Sequence, residues 1–202
     1  MSGAPLLYTP PAFTAANVLY GVGVLFTAPT GTALPSDQNL GVGSSWVSGG
    51  WNYIGATDQG LSLNFNPSVT DIKIEEQSTP VAALVDSVSF QVTTTLSEET
   101  IANIQLVYGA GGTIAVTAPG AGQPGKSTLT LSTSFQNLAA AIIGKNQLGF
   151  ARVFSIPIVQ SAGTVKTDFR RAASARSWAL SLNAICPLSS VTITDLTAIA
   201  TS

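Results

Sequence analysis

The sequence predicts a mainly β protein with one flanking helix and long arms and loops. Three observations carry this. Val88, Phe90, Val92 and Leu96 alternate with Ser89, Gln91, Thr93 and Thr95, the period of a half-buried strand. Leu61, Leu63 and Phe65 alternate in the same way with Ser62, Asn64 and Asn66. One stretch, Ser97 to Tyr108, changes to helical spacing.

The composition narrows what such a fold can do. The chain has 202 residues, a length for one domain or a small domain with long arms. Hydrophobic residues make up 45%, enough for a core, but charged residues only 9%, against roughly 25% in ordinary soluble domains. The polar surface is therefore Ser, Thr, Asn, Gln and backbone, which is weakly hydrated and prone to associate, so the chain reads as a subunit that buries surface in an assembly. The net charge of −2 is unevenly placed. Residues 1–101 hold eight acids against Lys73 alone; residues 102–202 hold Asp168 and Asp195 against seven bases. Such asymmetry serves head-to-tail contacts between copies. It lacks the basic stripe with interleaved aromatics of a nucleic-acid-binding protein.

Histidine is absent, which excludes Ser-His-Asp and Cys-His nucleophilic sites and every His-ligated metal site. The single cysteine, Cys186, has no partner for an internal disulfide and sits before Pro187 at the end of an apolar strand, the place of a buried, inert thiol. No cofactor or metal site is predicted, and no enzymatic activity. Met-Ser-Gly-Ala-Pro lacks the basic and apolar regions of a signal peptide, and no apolar run approaches the roughly 18 residues of a membrane helix. No membrane partner is expected.

Taken in order, residues 1–17 form an arm with Pro5, Pro10 and Pro11, residues 18–196 a single domain, and residues 197–202 a tail. Val18 to Phe26 is a strand candidate; Gly21 and Gly23 share one face, which marks close approach of another backbone. Their spacing does not complete GxGxxG, because Phe26 holds the third position. Ala28 to Asn39 reads as a loop and Gly41 to Gly50, with Trp46, as a second flexible piece. Trp51 to Ile54 enters the sheet, and Asp58-Gln59-Gly60 turns the chain. Pro67 is expected to break the next strand and shift its parity, so that Ile72 and Ile74 point inward and Asp71, Lys73 and Glu75 outward. Gln77 to Asp86 reads as a connection to the return strand Val88 to Leu96. The helix follows, with Ser97 as N-cap, Glu98 and Glu99 in its first turn, a core stripe of Ile101, Ile104, Val107 and Tyr108, and Gly109 as its stop.

Gly120 to Ser127 fits the phosphate-binding spacing GxxxxGK[ST]. The residues after it, Thr128 to Thr133, alternate and are rich in β-branched side chains, so the helix whose N-terminus would hold phosphate is missing. A Gly/Pro-rich loop between strands is the favoured reading, with nucleotide binding kept as an alternative. Leu138 to Ile143 and Leu148 to Val159 form another hairpin across Gly144 to Gln147. Ser174 to Ile185 is a strand with Trp178, Leu180 and Leu182 on one face and Ser177, Ser181 and Asn183 on the other; Val191 and Ile193 mark a short last strand.

Several pieces, in order from about residue 18 to 185, resemble the major tail tube proteins of long-tailed, siphovirus-type bacteriophages. They are Ala28-Pro29-Thr30-Gly31-Thr32 with Pro35, Trp51-Asn52-Tyr53-Ile54-Gly55 with Asp58-Gln59-Gly60, and an Ile-Lys-Ile strand with Glu75 and Pro80-Val81. The passage from Leu96-Ser97-Glu98-Glu99-Thr100 to Tyr108-Gly109, then Phe154-Ser155-Ile156-Pro157, and Phe169-Arg170-Arg171 with Trp178 complete the set. The low charge and the Walker-like loop depart from the family's pattern.

The resemblance implies two packed antiparallel sheets, a sandwich or barrel, with a flanking helix. It implies six copies in a ring whose inner hairpins complete a β-barrel, and rings stacked into a tube. Such a tube encloses a tape-measure protein, meets tail-tip and terminator proteins, and passes viral DNA without specific binding. The protein is then a virion component made in the host bacterial cytoplasm. Ser62, Asn64, Asn66, Ser89, Gln91 and Thr93 are the lumen-facing candidates. Asp71, Glu75 and Glu76 are placed in the lumen or between rings, and Arg170, Arg171 and Arg176 are candidates for pairing with a neighbour's acidic half. The rival readings are another virion part on the same sandwich (tail tip, terminator or capsid decoration protein) and a P-loop nucleotide-binding protein.

Overall fold

The computed structural model describes residues 23–72, 79, 81–146, 148–161, 163, 165 and 177–197. These build a mainly antiparallel β protein. The main sheet runs β2 (Asn52–Tyr53), β1 (Val24–Pro29), β7 (Asn137–Lys145), β8 (Ala151–Ser161), β9 (Trp178–Ala184), β4 (Ala82–Leu96), β3 (Thr57–Ile72), with β10 (Thr192–Asp195) beside β8. β8 is the corner strand. Its first part, Arg152 to Ser155, pairs with β10, and its end, Val159 to Ser161, pairs with β9. The sheet thereby folds over, and its β1–β7 part packs on its β9–β4 part.

The core lies between these parts. Leu25 and Ile142 meet Val92, Leu96, Leu180 and Leu182, and the helix α2 (Ile101–Val107) adds Leu106 and Val107. The two ends of the strand order approach each other: a Cβ placed on Gly23 would lie 3.1 Å from Leu61 Cδ1. Gly23 thus makes room for side chains rather than for a backbone. Residues 18–22, including Gly21, lie outside the described residues.

A second core covers the other face of β1 and β7. Residues 41–50 are not a flexible piece: Gly43–Ser48 form helix α1, and Trp46 is completely buried. Its ring stacks on Phe26 at 5.2 Å and meets Trp51 edge-on at 5.1 Å, and its Nε1–H donates to Leu40 O at 2.9 Å. Apolar burial at this one position organises a glycine- and serine-rich stretch. β1 continues to Pro29, two residues into the expected loop.

The hairpin of β3 and β4 is longer than the sequence indicates. Asp58 to Gly60 do not turn the chain; they sit inside β3 as a bulge opposite Thr95, with Gly60 at φ 75°, a conformation suited to glycine. Pro67 does not break β3. It pairs with Val88 on a strand whose outer edge has no partner among the described residues, where a missing N–H costs little. Parity along β3 is kept, so Ile72 continues the Ser62 side and Asp71 the Leu61 side, the reverse of the expectation. The extra residue lies in β4, where Asp86 bulges between Val85 and Ser87. β4 begins at Ala82, inside the stretch read as a connection.

Helix α2 starts three residues later than predicted, with its cap at Thr100 rather than Ser97. Thr100 caps it, its side chain accepting from Asn103 N at 3.1 Å. Glu98 is diverted from the helix: its Oε1 accepts from Ala56 N at 2.8 Å, beside Gly55, whose missing Cβ leaves room for that carboxylate. Asn103 is buried and donates to Ile54 O and Glu98 O, both at 2.9 Å. Ile101 and Ile104 are half-buried, and Tyr108 is exposed with its ring edge-on to Trp178.

The Walker-like stretch lies on a separate two-stranded hairpin, β5 (Thr113–Thr117) and β6 (Lys126–Thr130). Lys126 is the first residue of a strand, opposite Thr117, and no helix follows it. Cys186 is half-buried against the main core. Arg152 and Asp195 form an exposed two-bond ion pair at 2.5 and 2.6 Å between β8 and β10, and the Arg152 hydrogen bonds hold the Asp195 carboxyl below its ordinary range.

Candidate functional site: the polar hairpin face

The site grows from the period-2 pattern of β3 and β4. Register pairs Ser62 with Thr93, Asn64 with Gln91 and Asn66 with Ser89, which puts all six sequence candidates on one face. Ser62, Asn64, Asn66 and Ser89 are exposed; Gln91 and Thr93 are half-buried. Ser68 and Ser87, paired on the same face, extend it.

The face does not end at the hairpin. β9 pairs with β4 so that Asn183 lies beside Gln91 and Ser181 beside Thr93. Gln91 Nε2 donates to Ser181 Oγ at 2.9 Å and to Asn183 Oδ1 at 2.8 Å. Three strands therefore present one continuous hydroxyl and amide surface. Ser181 and Asn183 belong to this site, and the sequence had already placed them on the polar side of their strand. The neighbour relation across 92 residues is what it lacked.

The electrostatics are those of the side chains alone. The described residues of β3, β4 and β9 include Asp58, Asp71 and Asp86 and no lysine or arginine. Asp71 is exposed and lies across from Ala83. Glu75, Glu76, Arg170, Arg171 and Arg176 lie outside the described residues. Among the described residues, no cluster of three or more His, Cys, Asp or Glu is placed to hold a metal ion, and no helix is long and apolar enough to cross a membrane.

The opposite face of the hairpin is apolar and also open. Leu61, Leu63 and Phe90 pack on the core, but Phe65 is 55% exposed and Val85 56%, with Val69 and Val88 beside them. β4 has β9 as a partner only from Gln91 to Leu96, so Ala82 to Phe90 carries an unpaired outer edge among the described residues. Open edges and a bare apolar face are surfaces that folded proteins cover by pairing or assembly.

Fold and site together define a class, an antiparallel β subunit with a polar hairpin sheet and unmatched edges. The chain matches the family described as Phage tail tube protein over residues 14–143, and it belongs to that family. It is a structural component of the phage tail, and so of the virion, and takes part in building a tube with other phage proteins. A search of curated proteins gives no match.

Proposed function

We propose that six copies close into a ring in which the β3–β4 hairpins join edge to edge as a continuous barrel, and that rings stack into the tail tube of a siphovirus-type phage. The carrying observation is the three-strand polar face of Ser62, Asn64, Asn66, Ser89, Gln91, Thr93, Ser181 and Asn183, exposed or half-buried and, among the described residues, without a lysine or arginine on its strands and flanked by unpaired edges. Closing a barrel removes such edges. A wall without cations offers DNA phosphates no strong contacts, whereas each lysine or arginine would add salt-dependent grip. The ring number rests on the family resemblance. The bore then houses a tape-measure protein and later passes the genome, with tail-tip and terminator proteins at the ends. Synthesis takes place in the host cytoplasm. Residues 18–196 act as one domain, with the arm 1–17 and the tail 197–202 outside it. Asp71, on the Leu61 side of β3, lies between rings rather than in the lumen; Glu75 and Glu76 lie in the lumen or between rings, and Arg170, Arg171 and Arg176 meet a neighbour's acidic half.

Negative-stain electron microscopy of the purified protein tests this. Long hollow filaments are expected. Trimers would favour a capsid decoration protein and isolated single rings a tail-tip or terminator part. A lone particle at every concentration would end the proposal.

A further inference from the structure

Glu98 makes a contact that helix capping does not explain. It precedes α2, whose cap is Thr100, and its Oε1 reaches across 42 residues to accept from Ala56 N at 2.8 Å. A recess receives it. Gly55 is buried at φ 87°, and a Cβ there would overlap the Glu98 carboxylate. Three further bonds close the same corner. Ser97 N donates to Ala56 O at 3.0 Å, and Asn103 Nδ2 donates to Ile54 O and to Glu98 O, both at 2.9 Å.

The Glu98 bond adds little to stability. Ala56 and Glu98 are exposed, so water satisfies the Ala56 N–H when the carboxylate is absent. The bond fixes direction instead. Residues 54–56 lead into β3 and residues 96–98 lead out of β4, so the clamp sits at the root of the hairpin. β4 is held there by β9 as far as Leu96. β3 has no such outer partner among the described residues, and its pairing with β4 is interrupted between Thr57 and Leu61. The Thr94 hydroxyl, donating to Gly60 O at 2.7 Å, pins the bulge, and the clamp holds the chain just before it.

The root angle is amplified along the strand. β3 has 16 residues, roughly 50 Å at about 3.3 Å per residue. A tilt of about 5° at its root moves its far end by about 4 Å, close to one strand spacing. A neighbouring copy must match the outer edge of β3, and N–H···O bonds hold over a range of only about 0.5 Å. In a closed ring every copy repeats the same angle, so a loose root spoils closure at each joint.

We propose that Glu98 is a positioning residue: seated against Gly55 and bonded to Ala56 N, it sets the angle of β3 and with it a single number of copies per ring, an inference that rests on the tube reading above. The carboxyl oxygen does this, not the charge.

The test compares full-length Glu98→Ala, Glu98→Asp and Glu98→Gln. Gln keeps an oxygen at the same reach; Asp keeps the charge but is one methylene short. All three are expected to hold the thermal midpoint within about 3 °C of the parent, as exposed substitutions do. Spin labels on Ser48→Cys and Ser68→Cys, both exposed, in a Cys186→Ala background report the hairpin's angle in the single chain by double electron–electron resonance. The distance distribution is expected to be narrow for the parent and Glu98→Gln, and about twofold broader for Glu98→Ala and Glu98→Asp, because two-stranded ribbons vary widely in twist. In cryo-electron micrographs the parent and Glu98→Gln are expected to give filaments of one diameter, and the other two mixed diameters or open arcs. Unchanged distance distributions in Glu98→Ala and Glu98→Asp overturn the clamp and leave the tube reading standing. Broadening with filaments of one diameter overturns the link to ring number, and so does a Glu98→Gln protein that behaves like Glu98→Ala. A midpoint lowered by about 5 °C or more in Glu98→Asp marks a residue that serves the fold alone and overturns the proposal. If Glu98→Ala fails to fold, the Asp and Gln variants carry the same comparison. Absence of filaments in unmodified protein ends the tube reading, and the spin-label distances still decide the clamp.

Discussion

Phage carrying Ser89→Arg, Gln91→Arg and Thr93→Arg assemble tails of normal length and eject DNA about tenfold or more slowly at low salt. Each arginine adds a phosphate contact to a wall that has none, and each contact on duplex DNA changes log affinity by about −0.9 per unit of log salt. The defect is therefore expected to shrink steeply between about 50 and 200 mM salt. Gln91 also anchors β9 through Ser181 and Asn183, so its replacement removes two internal hydrogen bonds. Ser89→Arg with Asn64→Arg leaves those bonds in place and is expected to show the same salt-sensitive delay. In vitro ejection kinetics, with tail lengths measured by microscopy, check the result. Normal ejection from tails that contain the variants counts against the lumen assignment.

The second large effect concerns folding. Trp46→Ala is expected to cost about 3–5 kcal/mol, the range for emptying a buried aromatic site. For a chain of this size that lowers the thermal midpoint by about 6–20 °C. The side chain has no solvent exposure, and its loss removes the stack on Phe26, the edge contact with Trp51 and the bond to Leu40 O. The outer faces of β1 and β7, with Ala28, Ala139 and Ala141, then lose their cover. Urea unfolding with calorimetry measures this. A loss below about 1 kcal/mol would show that residues 41–50 behave as the loose piece their composition suggests.

The contrast at Trp46 shows where local sequence runs out. Glycines and serines around one tryptophan carry weak helix propensity, and tertiary burial overrides it. The same limit appears at Asp58 to Gly60 and at Pro67. Both are ordinary turn signals, but a bulge and an unpaired sheet edge absorb them without ending the strand. Strand periodicity, in contrast, is a local property, and it set the six polar candidates on one face and Trp178, Leu180 and Leu182 on the core side of β9. The share of the site contributed by Ser181 and Asn183 was not legible, because the pairing of β9 with β4 joins segments far apart in the chain. The bulge in β4 rests on the single unpaired residue Asp86, which no alternating pattern announces.

A slick, cation-poor wall of this kind exists only when chains join. Helical reconstruction of the assembled filament by cryo-electron microscopy tests it most directly. The predicted result is a bore lined by Ser62, Asn64, Asn66, Ser89, Gln91 and Thr93, with β3 of one copy hydrogen-bonded to its neighbour. A filament that buries this face between subunits, or turns it to the outside, contradicts the account.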